Sequence, residues 1–459
     1  MLVTKSDLEQ VLGETLARGG DFAEIFLERR RSSTVGLEAA RVEKVHSGLD
    51  QGAGIRLLAK DTSIYVYTND ISLPGLMKAA ATAATALKQK RSDPTVVPLT
   101  TPKLDSKDGV DNRVDIEDQV KLVQIADKEA RTAGDKIKQV LVRYGNLVQD
   151  VQIANSLGKM VMDHRNRHTM IVHVVAAEGN IVQTGYESLG TCNDIFLFTP
   201  EQAQKLAAMA TRRALMLVGA RPAPAGRMPV VLAGEAGGTM IHEACGHGLE
   251  ADIVGKEMSV YAGKIGQQVA SELVTVVDDP TLPGKYGSYA YDDEGTPAEK
   301  TVLIRNGVLE TYMYDLEWAR RQGESSTSNG RRQSFQFRPI PRMSNTYLAA
   351  GETAPEEIIA QTKYGLLVKR MGGGQVNPTT GDFVFDIAEG YLIEQGQVTN
   401  MVRGATLSGN GPEVLLSVDL VGTDLGFGIG TCGKDGQGVP VSDAQPTIRI
   451  PELIVGGLL

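Results

Sequence analysis

The first part of the chain alternates between helix-like and strand-like patterns of apolar and polar positions. In residues 5–18, apolar side chains recur at the three- and four-residue spacing of an amphipathic helix. Over residues 22–67, apolar and polar residues alternate in runs that short turns separate, which predicts a meander of antiparallel strands. The alanine-rich stretch 73–90 predicts a second helix. We therefore expect a first unit of helix and antiparallel sheet over residues 1–95.

A second unit repeats this order of patterns. Residues 91–113 contain three prolines and many Asp, Ser and Thr residues without helical periodicity, which predicts a linker. Helices are predicted at 115–133 and 200–217, and alternating segments such as IKQVLVRYG and TMIVHVVAA predict strands between them. The proline-containing stretch GARPAPAGR then marks a second boundary. These features indicate an α+β unit over residues 112–219.

The third unit, residues 226–459, is rich in predicted strands. It opens with the apolar strand MPVVLAG and one helix, and much of the rest alternates as strands do. Asn306-Gly307, between two apolar runs, is a strong hairpin signal. The chain has 51 glycines, concentrated in this unit, and frequent glycine suits a curved sheet or a barrel. The predicted fold class is therefore α+β, with N-terminal antiparallel sheet and helix units followed by a β-rich, curved-sheet or barrel-like C-terminal domain.

Charge and cysteine content narrow the range of functions. The 47 basic and 56 acidic side chains give a net charge of -9, which argues against a nucleic-acid partner. Three cysteines do not build a disulfide framework and are typical of a reducing compartment. Nowhere do 18 apolar residues run together, and the first residues lack the apolar core of a signal peptide. We expect a cytoplasmic protein without a membrane partner.

The stretch IHEACGHGLEAD, residues 241–252, carries two histidines in a predicted helix. On a regular helix His242 and His247 would lie about 140° apart, too far to hold one ion. A single π-turn, whose hydrogen bonds run from residue i to residue i+5, would bring one over the other. Gly246 and Gly248 would permit that distortion. The alternative is that the histidines are a helix cap and a core residue that share no ligand.

A zinc site at this motif would need further groups. Catalytic zinc takes three protein ligands and leaves one position for water, and Glu243 is the acid inside the motif that fits a general base. The third ligand stays open between a carboxylate of the third unit and two thiols. Cys245 lies one helical turn from His242, but it also fits a small core residue. Cys432, in the glycine-rich GIGTCGKDGQG with Lys434 nearby to favour the anion, fits a ligand or a nucleophile.

Longer blocks of sequence point to one family. HEACGHGLEAD and GTCGKDGQ resemble the TldD branch of the TldD/TldE (PmbA) metallopeptidases, and YDDEGTPA, RMSNTYLAAG and VRGATLSGNG follow in family order. The resemblance runs over nearly the whole chain. It implies Zn²⁺ as the cofactor, with His242, His247 and Cys432 as the metal ligands. It also implies that Glu243 is the catalytic acid and base, and that Cys245 is not a ligand.

The resemblance further implies a reaction and a partner. It predicts cleavage of unfolded peptides in the cytoplasm by a dimer, either a heterodimer with a TldE (PmbA)-like sister subunit or a homodimer. Two other functions fit the residues: a non-catalytic peptide-binding subunit with a structural zinc, and a thiol enzyme with Cys432 as nucleophile. The intact Glu243 argues against the first, because a structural site needs no adjacent base. Inhibition by a chelator, reversed by zinc, would separate the second from a zinc peptidase.

Three other features have alternative interpretations. YDDEGTPA would bring Asp292, Asp293 or Glu294 to the site, but a capped turn before a strand fits better. MGGGQVNPTTG, residues 371–381, lacks the lysine of a phosphate-binding loop, so we interpret it as an edge beside the cleft. GRRQSFQFRPIPR, residues 330–342, either holds a peptide carboxylate through Arg338 or Arg342 or is a structural stretch.

Overall fold

The part of the chain that this computed structural model describes comprises residues 1–87, 94, 96–101, 114–194 and 198–457. The linker predicted over 91–113 lies largely outside these residues, and so do the last residues of the helix predicted over 73–90. Within the described ranges, no helix has both the length and the apolar character that crossing a membrane requires.

The N-terminal units together form one antiparallel sheet. Its strands are β1 (Phe22–Glu38), β2 (Arg41–Ala59), β3 (Thr62–Thr68), β4 (Ile137–Asn155), β5 (Met160–Glu178) and β6 (Ile181–Cys192). Among the described residues their order is β3-β2-β1-β4-β5-β6, and β1 pairs with β4 from Glu24 to Glu38. Three strands from each predicted unit therefore share one backbone hydrogen-bond network.

Helices cover one face of this sheet, close to where the sequence predicts them. Those of the described N-terminal residues are α1 (Lys5–Leu16), α2 (Leu73–Thr85), α3 (Ile116–Arg131) and α4 (Pro200–Val218). Alternate residues of β1 point to the helices, because successive side chains of a strand face opposite sides. Ile25 and Leu27 pack in the cluster that contains α1 and α2, and Val35 and Leu37 pack with α3 and α4.

The opposite face of the sheet packs against the C-terminal domain. Phe26 of β1 lies in a buried cluster with Tyr291 and Phe335 of that domain. Glu24, on the same face of β1, is fully buried and accepts a hydrogen bond from Arg332 at 2.5 Å. The first residues of β1 therefore lie between the helices of the N-terminal units and the C-terminal domain.

The C-terminal domain is rich in strands, as predicted. In chain order they are β7 (Arg221–Pro222), β8 (Gly226–Leu232), β9 (Val276–Asp278), β10 (Thr301–Arg305), β11 (Val308–Leu309), β12 (Gly330–Arg331), β13 (Ile340–Pro341), β14 (Asn345–Leu348), β15 (Tyr364–Val376), β16 (Asp382–Glu394), β17 (Gln397–Arg403), β18 (Thr406–Asn410), β19 (Leu420–Val421), β20 (Gly426–Lys434), β21 (Gln437–Gln445) and β22 (Ile448–Gly456). The helices between them, within the described residues, are α5 (Thr239–Ile241), α6 (Ala251–Gly255), α7 (Leu316–Gln322), α8 (Pro355–Ala360) and α9 (Gly411–Ser417).

Five of the described strands close into a barrel. Their order is β15-β8-β22-β18-β16, and β16 pairs with β15 to complete the ring. β15 runs parallel to β8 and antiparallel to β16. The barrel-like C-terminal domain predicted from the glycine content is thereby confirmed.

A second sheet lies beside the barrel, in the order β11-β10-β9-β14-β21-β20 among the described strands. The hairpin predicted at Asn306-Gly307 joins β10 to β11, and both residues have the positive φ that a type I′ turn requires, 46° and 81°. The main buried cluster includes residues of both the barrel and this sheet. The segment that carries His242 and His247 follows β8, and it contacts β15 of the barrel and β21 of the second sheet.

Candidate metal centre

The motif forms a π-turn, which explains how histidines five residues apart reach one site. After α5, a π-helical turn spans His242–Gly246 and a 3₁₀ turn spans His247–Leu249. The backbone N–H of His247 donates to the carbonyl of His242, the i to i+5 bond of a π-turn. The centroids of the two imidazole rings consequently lie 5.0 Å apart, with the ring planes at 85°. The distortion that the spacing requires is present.

Close packing explains the two glycines beside His247. A Cβ at Gly246 would collide with the sulfur of Met343, and a Cβ at Gly248 would collide with the ring of Tyr261. Neither glycine has a positive φ. Steric contact, rather than a left-handed backbone conformation, therefore requires glycine at these positions.

Three donor atoms converge beside this turn. Cys432 Sγ lies 3.2 Å from His242 Nε2 and 3.3 Å from His247 Nε2. The three ligand atoms all lie within 4.8 Å of one another. Cys432 reaches the histidines from β20, 190 residues beyond His242 in the chain. The structure thus brings together the three side chains that the resemblance implies as ligands.

Cys245 does not join this group, although it lies one helical turn from His242. Its side chain is fully buried in the main apolar cluster, and its Sγ donates to the carbonyl of Ile241 at 3.3 Å. Burial raises the pKa of Cys245 to about 12, so the thiol stays protonated at neutral pH. Of the two interpretations that the spacing allows, the core residue is the one observed.

The surroundings of Cys432 favour the thiolate. Burial by itself would raise the pKa of this thiol, but the charge of His242 and hydrogen bonds with both histidines lower the pKa to about 4. The thiolate is the form of cysteine that binds a metal. Because imidazole nitrogen and thiolate sulfur are the donors that zinc takes in proteins, these three side chains fit a zinc ion.

Glu243 lies beside the donor atoms on the wall of a cavity. The cavity has a volume of about 520 Å³, and its lining includes the three donor residues together with parts of β15 and β20. Burial raises the pKa of the Glu243 carboxyl, and the charges of the two histidines oppose that rise. Gln375 and Val376 form part of the wall. The interpretation of segment 371–381 as an edge of the cleft is thereby confirmed.

The buried carboxylate of Glu250 contacts one of the donor residues. Its contribution to the site was not predicted from the sequence. Glu250 Oε2 lies 3.0 Å from His247 Nδ1. Lys434 Nζ donates to Glu250 at 3.0 Å and to Asp252 at 2.7 Å. We expected Lys434 to favour the Cys432 anion, but its ammonium points to these carboxylates instead. The signal for Glu250 was its position three residues after His247, one turn further along the chain.

Arg342 lies beside strand β20, which carries Cys432, and makes structural contacts there. Its guanidinium is fully buried and donates to the backbone carbonyls of Cys432 at 2.5 Å and of Gln437 at 3.3 Å. These contacts join Arg342 to the ends of β20 and β21, and they favour the structural interpretation over a contact with a peptide carboxylate. No local pattern predicts this role, because the partners lie about 90 residues away in the chain.

The acidic segment YDDEGTPA lies outside the described lining of the cavity. The carboxylate of Asp292 accepts two backbone N–H groups of the following turn, which confirms the capped turn. Asp293 and Glu294 are buried and pair with Arg165 and Arg56 of the N-terminal sheet. These carboxylates join the two parts of the molecule.

Comparison with known protein families accounts for nearly all of the chain. Models described as domain 1, the central domain and the C-terminal domain of the PmbA/TldA metallopeptidases match residues 23–87, 111–218 and 225–457. The chain belongs to the PmbA/TldA metallopeptidase family. The resemblance of the motif blocks to this family is thereby confirmed.

Curated members with similar sequences are metalloproteases by name. A protein of Haemophilus influenzae named metalloprotease TldD homolog is 35% identical over 96% of this chain and 94% of its own. A metalloprotease of Methanocaldococcus jannaschii is 36% identical over 96% of this chain and 98% of its own. The solved structure of TldE from Thermococcus kodakarensis has a TM-score of 0.78, covering 98% of this chain and 100% of that one. Its sequence identity is 21%, so this likeness concerns the fold.

Proposed function

We propose that the protein is a zinc-dependent peptidase that cleaves unfolded or extended peptides. The observation that supports this most is the convergence of two imidazole nitrogens and one thiolate within 4.8 Å, next to a carboxylate on a cavity wall. The names of the curated relatives agree with hydrolysis of peptide bonds at such a site.

The proposal gives each side chain a role. His242 and His247 would hold a zinc ion through Nε2 and Cys432 would hold it through Sγ, which are donor types that zinc takes in proteins. A bound zinc ion would polarise the scissile carbonyl and lower the pKa of a water molecule. Glu243 takes the proton of the attacking water on a carboxylate oxygen and passes it to the leaving amine. Its raised pKa suits a group that must accept a proton and then release it.

Strand β20 supports the substrate class. It is the edge strand of its sheet, and β21 is the strand that pairs with it in the described part of the chain. This edge lies against Gly234 at Gly426 and against Gly237 at Gly428, so the stretch that we propose for the peptide lies beyond Gly428, toward Cys432. An extended peptide adds to such an edge through backbone hydrogen bonds and needs no particular side chains. We therefore propose weak sequence preference and a strict requirement for an unfolded segment.

We further propose that the protein acts in the cytoplasm as a dimer, with a TldE-like sister subunit or with a second copy. A solved TldE structure shares this fold over 98% of the chain, so a sister subunit would offer related surfaces. Mass analysis of proteins that co-purify from the native cell distinguishes the two assemblies.

Metal removal tests the proposed activity. A chelator should abolish cleavage of an unstructured reporter peptide, and added Zn²⁺ should restore it, because the polarising ion is lost and regained. The same reporter sequence inside a stable fold serves as the control and should survive. A thiol enzyme would retain activity without metal, and a non-catalytic subunit would bind the reporter without cutting it. Either result would refute the proposed function.

A further inference from the structure

The imidazole of His247 has two nitrogens, and they face different partners. Nε2 lies 3.3 Å from Cys432 Sγ, whereas Nδ1 lies 3.0 Å from Glu250 Oε2. An ionised carboxylate only accepts hydrogen bonds, so His247 Nδ1 must be the donor. A proton on Nδ1 leaves the lone pair of the neutral ring on Nε2, the nitrogen that faces the thiolate.

We propose that Glu250 is a positioning residue of the metal centre, which fixes His247 in the tautomer and orientation that presents Nε2 to the ion. This inference rests on the proposed zinc site. Carboxylates that accept the second N–H of a metal-bound histidine set its ring orientation and raise its basicity. Glu250 meets that description, because it is fully buried and lies within hydrogen-bond distance of Nδ1.

Glu250 is itself fixed by positive charge on two sides. Lys434 Nζ lies 3.0 Å from Oε2, and Arg342 Nε lies 3.8 Å from Oε1. Lys434 in turn contacts Asp252 at 2.7 Å and the carbonyl of Pro341 at 2.8 Å. A buried carboxylate without such partners would be strongly unfavourable. The hydrogen bond from Lys434 therefore holds Glu250 in the place from which it reaches His247, and Arg342 adds a positive charge beyond hydrogen-bond distance.

The contacts of Lys434 and Arg342 also connect the turn that carries the histidines to strand β20, which carries Cys432. Lys434 and Cys432 lie two residues apart on β20, and a strand places such residues on one face. Arg342 also donates to the Cys432 carbonyl at 2.5 Å. Glu250 thus joins His247, which follows the π-turn, to the strand that supplies the thiolate.

The other histidine lacks an equivalent contact. Within the described residues, His242 Nδ1 is buried and has no hydrogen-bond partner. The nearby carboxylate oxygen, Asp443 Oδ2, lies 3.9 Å from it, beyond hydrogen-bond distance. Among the described residues, the carboxylate within hydrogen-bond distance of a donor imidazole is therefore on the His247 side of the site.

Two isosteric variants separate positioning from simple charge pairing. Glu250→Gln and Asp252→Asn each remove one carboxylate charge beside Lys434, but only Glu250 contacts a donor residue. Competition with a chromophoric chelator should show zinc binding about 10- to 100-fold weaker in Glu250→Gln, and affinity near that of wild type in Asp252→Asn. Equal weakening in both variants, or none in Glu250→Gln, would overturn the proposal.

A second measurement decides the question if Glu250→Gln does not fold. In zinc-loaded wild-type protein labelled with ¹⁵N-histidine, long-range ¹H–¹⁵N spectra should show His247 protonated at Nδ1 and bound through Nε2. Binding through Nδ1 would overturn the proposal. If the wild-type protein binds zinc but cuts no peptide, only the proposed peptidase function is refuted. If the wild-type protein binds no zinc, both the peptidase function and the role of Glu250 are refuted.

Discussion

The candidate metal centre and the interface between the N-terminal sheet and the C-terminal domain both bury charged side chains. The two regions differ in the chemistry of the buried groups and in whether these groups face a cavity. At the interface, Arg56 and Arg332 have no exposed side-chain surface. Arg56 pairs with Glu24 at 2.8 Å and also with Glu294, and Arg332 pairs with Glu24 at 2.5 Å. Guanidinium and carboxylate groups from two parts of the chain neutralise each other there.

At the metal centre, the buried polar groups face a cavity. The donor types are imidazole and thiolate, which are ligands for a soft or borderline cation. The difference shows that burial of charge does not by itself mark a functional site. Donor chemistry and an adjacent cavity distinguish a centre that can take a ligand from a centre that holds two domains together.

The largest effect should come from removing a donor at the metal centre. Cys432→Ala should sharply reduce bound zinc and abolish peptidase activity, because the ion loses its only thiolate ligand. Cys245→Ala is the matched control. It should retain zinc and activity at a packing cost of about 1 kcal/mol. Elemental analysis of zinc in each variant checks this, and the reverse pattern would show that the ligand assignment is wrong.

A smaller loss should follow when the base is changed and the donors are left intact. Glu243→Gln should keep zinc but lose about 10²- to 10⁴-fold in turnover, because the amide cannot accept the proton of the attacking water. Zinc content and the rate of cleavage of the reporter peptide are measured on the same sample. Turnover near that of wild type would remove Glu243 from the mechanism.

A substitution at the interface should lower the stability of the fold and leave zinc binding and activity unchanged. Arg56→Met removes the arginine that pairs with the buried carboxylate of Glu294 and one of the two arginines that pair with Glu24, which should destabilise the fold by about 3–5 kcal/mol. Zinc content and activity of the folded fraction should remain. Arg305→Met, which breaks an exposed pair with Glu310, is the control and should change stability little. Urea unfolding measures both, and zinc loss from folded Arg56→Met protein would show that the two regions are coupled.

Short-range patterns predicted much of the fold and part of the site. The helices α1 to α4 and the first strands follow from apolar periodicity within each segment. The spacing of His242 and His247 requires a π-turn only if the two share an ion, and of the two interpretations left open the structure shows the turn. Both predictions depend on geometry within a few residues of each other.

Short-range patterns did not predict contacts between segments that lie far apart in the chain. Spacing favoured Cys245, which lies one helical turn from His242, because the strand that carries Cys432 comes 190 residues after His242. The turn at Glu294 was predicted correctly, but its arginine partner lies 238 residues away. The resemblance to a family, rather than residue spacing, singled out Cys432.

The order of the chain also determines when the site can form during translation. A ribosome synthesises both histidines 185 residues or more before Cys432. Strand β22, which pairs with β8 and β18 to close the barrel, emerges later still. A nascent chain therefore carries the motif without its thiolate and without a closed barrel. The proposed peptidase stays inactive while its own unfolded segments are the nearest available substrate.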